Sequence, residues 1–239
     1  MLAKLTDFRK LGKNTNKLAV LFLGSIEQHG PFMPLGTDTL IAERLSEISE
    51  KRLGDKLIIF PVLPFGAAKE HRGFAGTIAL EYTTYMLLLR DILKSLSESG
   101  FKKVLFISTH GGNDLAVRLV QADWNYGNKM KVEYLWVFDA KVEEKTKELF
   151  DGSEFHAGSS ENSIIAYLEP KSVGFIGNKT DRRFAPKREG IFTVFATQEV
   201  TPLGILNFSP KLEVDSKKGK RLFDFIADNL CRKVKEMIE

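Results

Sequence analysis

The sequence has little cysteine and no long hydrophobic run. Its 239 residues include one cysteine, Cys231, so no disulfide can form within the chain and a reducing compartment is expected. No apolar stretch reaches the roughly 18 residues that a membrane-spanning helix needs. The N-terminus also lacks the apolar segment of a signal peptide. We therefore expect a cytoplasmic protein with no membrane partner.

The net charge is basic, but the excess is local. The formal charge is +4 at pH 7, and residues 171–190 hold six Lys or Arg against two Asp or Glu. Residues 216–239 hold seven against four. Neither segment has the pattern of aromatic and glycine residues typical of a nucleic-acid-binding module, so we expect no nucleic-acid partner. A solvated surface is the favoured interpretation, and a basic loop that contacts an anionic substrate or a neighbouring subunit is the alternative.

Hydrophobic residues make up 43% of the chain, and their spacing alternates between two periods. Nearly continuous apolar runs predict strands at 17–26, 57–66, 102–113 and 131–139. Helical spacing predicts helices at 37–53, 82–100, 114–126, 160–170 and 217–237, with a further charged helix after the fourth strand. Thr37 or Asp38 is expected to cap the first helix.

Strands that alternate with helices indicate parallel βαβ units. The predicted fold class is therefore α/β, with a single layered domain over residues 1–239 and a mostly parallel central sheet flanked by helices. Pro61 and Pro64 place the second strand near an edge or interrupt it. Residues 171–215 are rich in Gly, Pro, Lys and Arg, and predict loops with a short hairpin.

Polar residues follow the predicted strands, where ligands bind in open α/β sheets. The loop after the first strand holds Glu27, His29 and Asp38 within twelve residues. If the strand continues through His29, the side chains of Glu27 and His29 point the same way. Oxygen and imidazole ligands without thiolates favour Zn, Mn or Fe(II). The alternative makes Glu27 a surface residue and Asp38 merely a helix cap.

Two later segments add candidate ligands. His110 ends the third predicted strand and precedes Gly111 and Gly112, which let a ligand come close. His156 lies in a loop of small residues, and Glu161 opens the next helix. His110 and Glu161 have structural alternatives, because a histidine can cap the following helix and a glutamate in the first turn complements the helix dipole.

The loop after the second predicted strand contains His71 between Glu70 and Arg72, among three glycines. His71 is a candidate for the lining of a substrate pocket. A hydrogen-bonding role that anchors the loop is the alternative, and the sequence slightly favours it.

Four segments in this order, GSIEQHGPFMPLGTD, PFGAAKEHRGFAGT, STHGGN and HAGSSENS, resemble the creatininase (creatinine amidohydrolase) family over about residues 18–170. The resemblance implies a layered α/β fold, metal-dependent hydrolysis of non-peptide C–N bonds and often a hexamer. It places Glu27, His29, Asp38 and His110 at metal-ligand positions, with Asp38 as the bridge between two metals. It also places His156 at the position of a catalytic histidine.

The sequence departs from creatinine hydrolase around the site. Gly112 stands where that enzyme has the glutamate that completes the second metal site, and Glu161 is the nearest replacement. Gly111 stands in place of a tyrosine, and Ala68 in place of a substrate-contacting serine. Creatinine is therefore not the expected substrate. The residues predicted to line the substrate pocket are Ala68, Glu70, His71 and Gly111.

The sequence thus predicts a metal-dependent amidohydrolase that cleaves a cyclic or formyl amide of a small molecule. Two divalent metals per subunit would activate water, and His156 would protonate the departing nitrogen. A formamidopyrimidine-nucleotide deformylase of cofactor biosynthesis and a peptidase that matures a modified precursor peptide are alternatives. A catalytically silent assembly protein is a remote one. The resemblance also predicts a homo-oligomer.

Overall fold

The computed structural model describes residues 2–3, 6–150, 154–174, 196–207 and 212–238. The strands are β1 (Leu18–Leu23), β2 (Leu57–Ile59), β3 (Lys103–Ser108), β4 (Lys131–Trp136), β5 (Glu154–His156) and β6 (Leu206–Asn207). The helices are α1 (Phe8–Gly12), α2 (Thr37–Leu53), α3 (Tyr82–Glu98), α4 (Asp114–Gly127), α5 (Ala140–Leu149), α6 (Ser159–Leu168), α7 (Thr197–Val200) and α8 (Ser216–Ile238). Short 3-10 helices span Lys69–His71, Gly111–Asn113 and Pro170–Ser172.

The central sheet is parallel and has the strand order β2-β1-β3-β4. The chain leaves β1 to one side to form β2, and returns to the other side to form β3. The strand order therefore reverses between β1 and β3, and in open α/β sheets ligands bind beyond the carboxyl ends of the strands at such a point. The predicted α/β fold with a mostly parallel sheet is confirmed, and the structure places the loops after β1 and β3 side by side.

Helices cover both faces of this sheet, so β1 and β3 are buried on both sides. On one face, Tyr85 and Leu89 of α3 pack with α4 against Leu21 and Phe106. On the other face, helices α2, α5, α6 and α8 cover Phe22 and its neighbours. Two hydrophobic cores thus hold the carboxyl ends of β1 and β3 in fixed positions.

The second strand is interrupted and lies at the edge of the sheet, as Pro61 and Pro64 predicted. Residues 57–66 read as one apolar run, but β2 has only three residues. Pro61 and Pro64 lack the N–H groups that a strand interior needs. Only Leu63 meets the sheet again, through an isolated bridge to the end of β1. The other central strands also end before their predicted limits.

Two local predictions are also wrong. Gly36, and not Thr37 or Asp38, is the N-cap of α2. The Thr37 hydroxyl donates backwards to Pro34 O at 2.8 Å, while Asp38 lies inside the first turn. His156 is not in a loop but ends β5, which pairs antiparallel with β6 across a gap of some fifty residues in the sequence.

The predicted hairpin and most of the basic segment 171–190 lie outside the described residues. Among the described residues, no helix is both long enough and apolar enough to cross a membrane. Cys231 is buried on α8.

Candidate metal centre

Strand β1 ends at Leu23, so the condition that the strand continues through His29 is not met. The backbone amides of the following loop bond elsewhere: Glu27 N donates to Leu35 O of the same loop at 2.9 Å, and Gln28 N donates to Thr77 Oγ1 at 3.0 Å. The side chains of Glu27 and His29 nevertheless meet, with Glu27 Oε1 and His29 Nε2 3.9 Å apart. Both are almost fully buried.

Asp38 reaches the same point from the first turn of α2. Its Oδ1 lies 3.5 Å from His29 Nε2, and its Oδ2 lies 3.4 Å from His110 Nδ1. The main chain of Asp38 is fixed by Thr109, whose hydroxyl donates to Asp38 O at 2.9 Å. Asp38 therefore sits between two histidines that come from the loops after β1 and β3.

His110 follows β3 directly. Its Nδ1 lies 3.0 Å from Glu27 Oε2, an oxygen that also accepts the Ser25 hydroxyl at 2.9 Å. His29 is held differently, since its Nδ1 donates to Glu27 O at 3.2 Å. With its proton on Nδ1, His29 presents a free lone pair on Nε2, which is how a ligating imidazole is commonly oriented.

Glu161 enters the cluster from the first turn of α6. Its Oε1 lies 4.0 Å from His29 Nε2, while its Oε2 accepts Ala157 N at 2.6 Å. The structural and the ligand interpretations of Glu161 are therefore compatible, because each uses a different carboxylate oxygen.

A second histidine pair borders the cluster. The rings of His71 and His156 stack with their centroids 4.1 Å apart. His71 Nε2 and His156 Nδ1 lie 3.5 and 3.9 Å from Glu27 Oε1. Sequence reasoning missed Gln28, whose amide nitrogen lies 2.8 Å from His71 Nδ1 and 2.9 Å from His156 Nε2. Its position between Glu27 and His29 was the available signal.

The donor set fits divalent metal ions. Among the described residues, three groups of side chains each bring one ligand atom per residue within 4.8 Å of one another. These groups are Glu27–Asp38–His110, His29–Asp38–Glu161 and Glu27–His29–His156. Within the same part of the chain, buried atoms without a hydrogen-bond partner include Glu27 Oε1, His29 Nε2, Asp38 Oδ2 and His110 Nε2. Buried polar atoms are normally paired, so four such atoms in one cluster fit a site that binds a cation.

The charges of the cluster also favour a bound cation. Burial lowers the pKa of His29, but the carboxylates of Asp38, Glu161 and Glu27 outweigh burial and raise it to about 10. Burial likewise disfavours a charged His110, yet Glu27 and Asp38 raise its pKa well above the usual value. Burial raises the pKa of Glu161 to about 7. The cluster therefore attracts positive charge, which a metal supplies without protonating the ligands.

The residues predicted to line the substrate pocket have different surroundings. His71 is buried beside Glu27, and Glu70 places its Oε1 3.8 Å from His110 Nε2. Gly111 is exposed, and a Cβ there would have Trp136 Cη2 as its nearest neighbour, at 3.8 Å. Ala68 is fully buried. The assignment of these four residues to the pocket stays a prediction.

The two glycines after His110 are expected to respond differently to substitution by alanine. A Cβ at Gly112 would lie within 3.0 Å of Ala67 O, His110 Nε2 and Glu70 Oε1, so Gly112→Ala is expected to displace His110 and cost about 1–3 kcal/mol of stability. In Gly111→Ala, the matched control, the added Cβ would make only an ordinary contact with Trp136, and stability is expected to change by less than about 0.5 kcal/mol. Thermal unfolding and zinc titration of both variants measure the difference. Equal behaviour of the two variants would show that the space around Gly112 is not limiting.

Comparison with known proteins identifies the family. The family model described as Creatininase: Creatinine amidohydrolase matches residues 2–234. The chain belongs to the creatininase family. Solved creatininase structures share its fold: one described as Zn–Zn type and one described as creatininase Mn each have a TM-score of 0.80 at 20% identity, and each alignment covers 99% of this chain and 98% of the other.

Several curated proteins are similar in sequence to this chain. A mycofactocin precursor peptide peptidase of Mycobacterium tuberculosis (strain CDC 1551 / Oshkosh) is 28% identical over 92% of this chain and 86% of its own length. The creatinine amidohydrolase of Pseudomonas putida is 26% identical over 64% of this chain and 65% of its own. A 2-amino-5-formylamino-6-ribosylaminopyrimidin-4(3H)-one 5'-monophosphate deformylase of Methanocaldococcus infernus is 27% identical over 55% and 58%.

Proposed function

We propose that this chain is a metal-dependent amidohydrolase that cleaves an amide C–N bond other than that of creatinine. The observation that carries the proposal is the pair of ligand groups Glu27–Asp38–His110 and His29–Asp38–Glu161, which share Asp38. Two such groups would hold two metal ions with the Asp38 carboxylate between them. The oxygen and imidazole donors suit Zn, Mn or Fe(II). The zinc and manganese descriptions of the structural neighbours support the first two.

The metals and the protein have separate tasks in this mechanism. A divalent metal held by these residues would make hydroxide available at neutral pH, because coordination lowers the pKa of water from about 15.7 towards about 7. The metal ions would be held in a largely buried site by five side chains: Glu27, His29, Asp38, His110 and Glu161. Burial of these side chains strengthens electrostatic interactions, so the cations that they would hold could stabilise a developing oxyanion.

His156 is the proposed proton carrier. Burial lowers its pKa well below the usual value near 6.5, so the imidazole begins the reaction neutral. Its Nδ1 faces Glu27 Oε1 at 3.9 Å, at the edge of the ligand cluster. From there it can accept the proton that the attacking water loses and deliver it to the departing nitrogen, which makes that nitrogen a better leaving group.

Sequence similarity to the curated relatives favours two classes of substrate. The peptidase relative aligns over most of both chains, which favours cleavage of a precursor peptide as the second candidate function. The deformylase relative supports a formyl amide, although over a shorter alignment. The replacement of creatininase side chains by Gly111 and Ala68 makes creatinine itself a poor candidate.

A substrate comparison tests the proposed function. Zinc- and manganese-loaded protein is assayed for formate release from a formamidopyrimidine nucleotide, for ring opening of cyclic ureides and creatinine, and for cleavage of a modified precursor peptide. We expect hydrolysis in one of the first two classes, with creatinine the poorest ureide. Peptide cleavage alone would establish the second candidate. Absence of every activity in a protein that binds metal and folds correctly would favour a silent assembly protein.

Glu161→Gln tests the second ligand group. The glutamine oxygen can still accept the Ala157 N–H, so the fold is expected to be retained while the negative charge at His29 is lost. We expect one metal per chain in place of two, and an affinity of the second site weaker by more than about 100-fold. Elemental analysis and isothermal titration with zinc measure this. Retention of two tightly bound metals would remove Glu161 from the ligand set.

A further inference from the structure

The amide of Gln28 has an orientation that the main chain fixes. Gln28 Oε1 accepts Gly30 N at 2.9 Å, and Gln28 Nε2 donates to Gly204 O at 3.1 Å. A backbone N–H can only donate and a carbonyl can only accept, so the side-chain oxygen and nitrogen cannot be exchanged. A Cβ at Gly204 would collide with Gln28 Oε1, and the backbone there has φ +73, which favours glycine.

This orientation determines the proton position on His71. The Gln28 amide nitrogen, a donor, lies 2.8 Å from His71 Nδ1, so Nδ1 must accept and the ring proton of neutral His71 resides on Nε2. The Thr197 hydroxyl lies 3.0 Å from the same Nδ1. His71 Nε2 then directs its N–H towards Glu27 Oε1, 3.5 Å away.

His156 also lies within hydrogen-bond distance of Gln28. Its Nε2 lies 2.8 Å from the main-chain oxygen of Gln28 and 2.9 Å from the side-chain nitrogen. The Gln28 amide has two N–H groups, and Gly204 O and His71 Nδ1 accept both of them. None remains for His156, so His156 Nε2 carries a proton and donates it to the main-chain oxygen of Gln28. His156 can therefore change its protonation at Nδ1 without losing its anchor at Nε2.

We propose that Gln28 is a positioning residue that holds the stacked rings of His71 and His156 against Glu27 and fixes His71 as the Nε2–H tautomer. Gln28 needs no contact with substrate or metal for this role. It acts through two imidazoles, and both N–H groups of its amide are used, by Gly204 O and His71 Nδ1. The kinetic consequences rest on the proposed function, whereas the tautomer of His71 does not.

Nitrogen-15 NMR of histidine-labelled, zinc-loaded protein tests this directly. The sequence has only four histidines, which simplifies assignment. In the wild type we expect His71 to show a protonated Nε2 and an unprotonated Nδ1. In Gln28→Leu, which keeps the volume but removes the amide, we expect the His71 signals to move towards a tautomer mixture. A wild-type His71 protonated at Nδ1 overturns the proposal, whether or not the variant folds.

Steady-state kinetics provide a second test of the role of Gln28. Gln28→Leu is expected to lower kcat about 10- to 100-fold with KM changed less than about threefold and metal content unchanged. Gln121→Leu, the matched control, removes glutamine hydrogen bonds to Val132 O and Glu133 Oε2 near the amino end of β4, and is expected to leave kcat and the histidine signals unchanged. An unaltered kcat and unaltered His71 signals in Gln28→Leu overturn the proposal. If no substrate is found, the proposed function fails and the tautomer measurement still decides the role of Gln28.

Discussion

Asp38→Asn is expected to reduce hydrolase activity by about 10³-fold or more and to lower the metal content of both sites. Asp38 is the one member that the two proposed ligand groups share, and His29 and His110 lie 3.5 and 3.4 Å from its two oxygens. Asparagine keeps the shape but removes the charge. Loss of metal-derived stabilisation worth about 4 kcal/mol corresponds to about 10³-fold in rate.

Asp114→Asn is the matched control for Asp38→Asn. Asp114 occupies the first turn of α4 as Asp38 occupies the first turn of α2, but its carboxylate pairs with Arg118 at 2.8 Å on the surface. The control is expected to keep both metals and to lose at most about 1 kcal/mol of stability. Elemental analysis and steady-state kinetics measure both variants. Full metal content in Asp38→Asn would show that Asp38 is not a bridge.

His156→Ala is expected to lower kcat about 10²- to 10⁴-fold while both metals remain bound. The physical reason is that His156 Nδ1 faces the cluster but its Nε2 is committed to Gln28. The residue is therefore placed to move a proton and is not needed for the two groups that share Asp38. Added imidazole is expected to restore part of the activity, because a small base can occupy the vacated volume.

The structure also contains a competing ligand group for His156. Glu27, His29 and His156 bring their ligand atoms within 4.8 Å of one another. If this group holds a metal, His156→Ala loses that metal along with the activity, and imidazole restores metal binding before it restores turnover. Metal content measured at each imidazole concentration separates a proton carrier from a ligand.

The central sheet could be predicted because its strands are buried on both faces. Residues 18–23 and 103–108 are nearly continuous apolar runs, and such runs identify strands covered by helices. The residues at which the central strands end were less predictable, and these strands end before their predicted limits. The ladder between β5 and β6 could not be predicted, since it is only a few residues long and joins segments about fifty residues apart.

The candidate ligands could be predicted because each follows a strand or begins a helix at the point where the strand order reverses. Glu27, His29, Asp38 and His110 needed only that topology to meet. The contacts of His71 and Gln28 could not be predicted in the same way. Gln28 touches Gly204, which is 176 positions away, and no local pattern in the sequence specifies that contact.

Metal content and activity measured on the same sample of wild-type protein test the central claim most directly. We expect about two divalent ions per chain, loss of hydrolysis when a chelator removes them, and recovery when zinc or manganese is returned. Asp38→Asn, treated identically, is expected to recover neither metal nor activity. A metal-free wild-type protein that retained hydrolase activity would contradict the account.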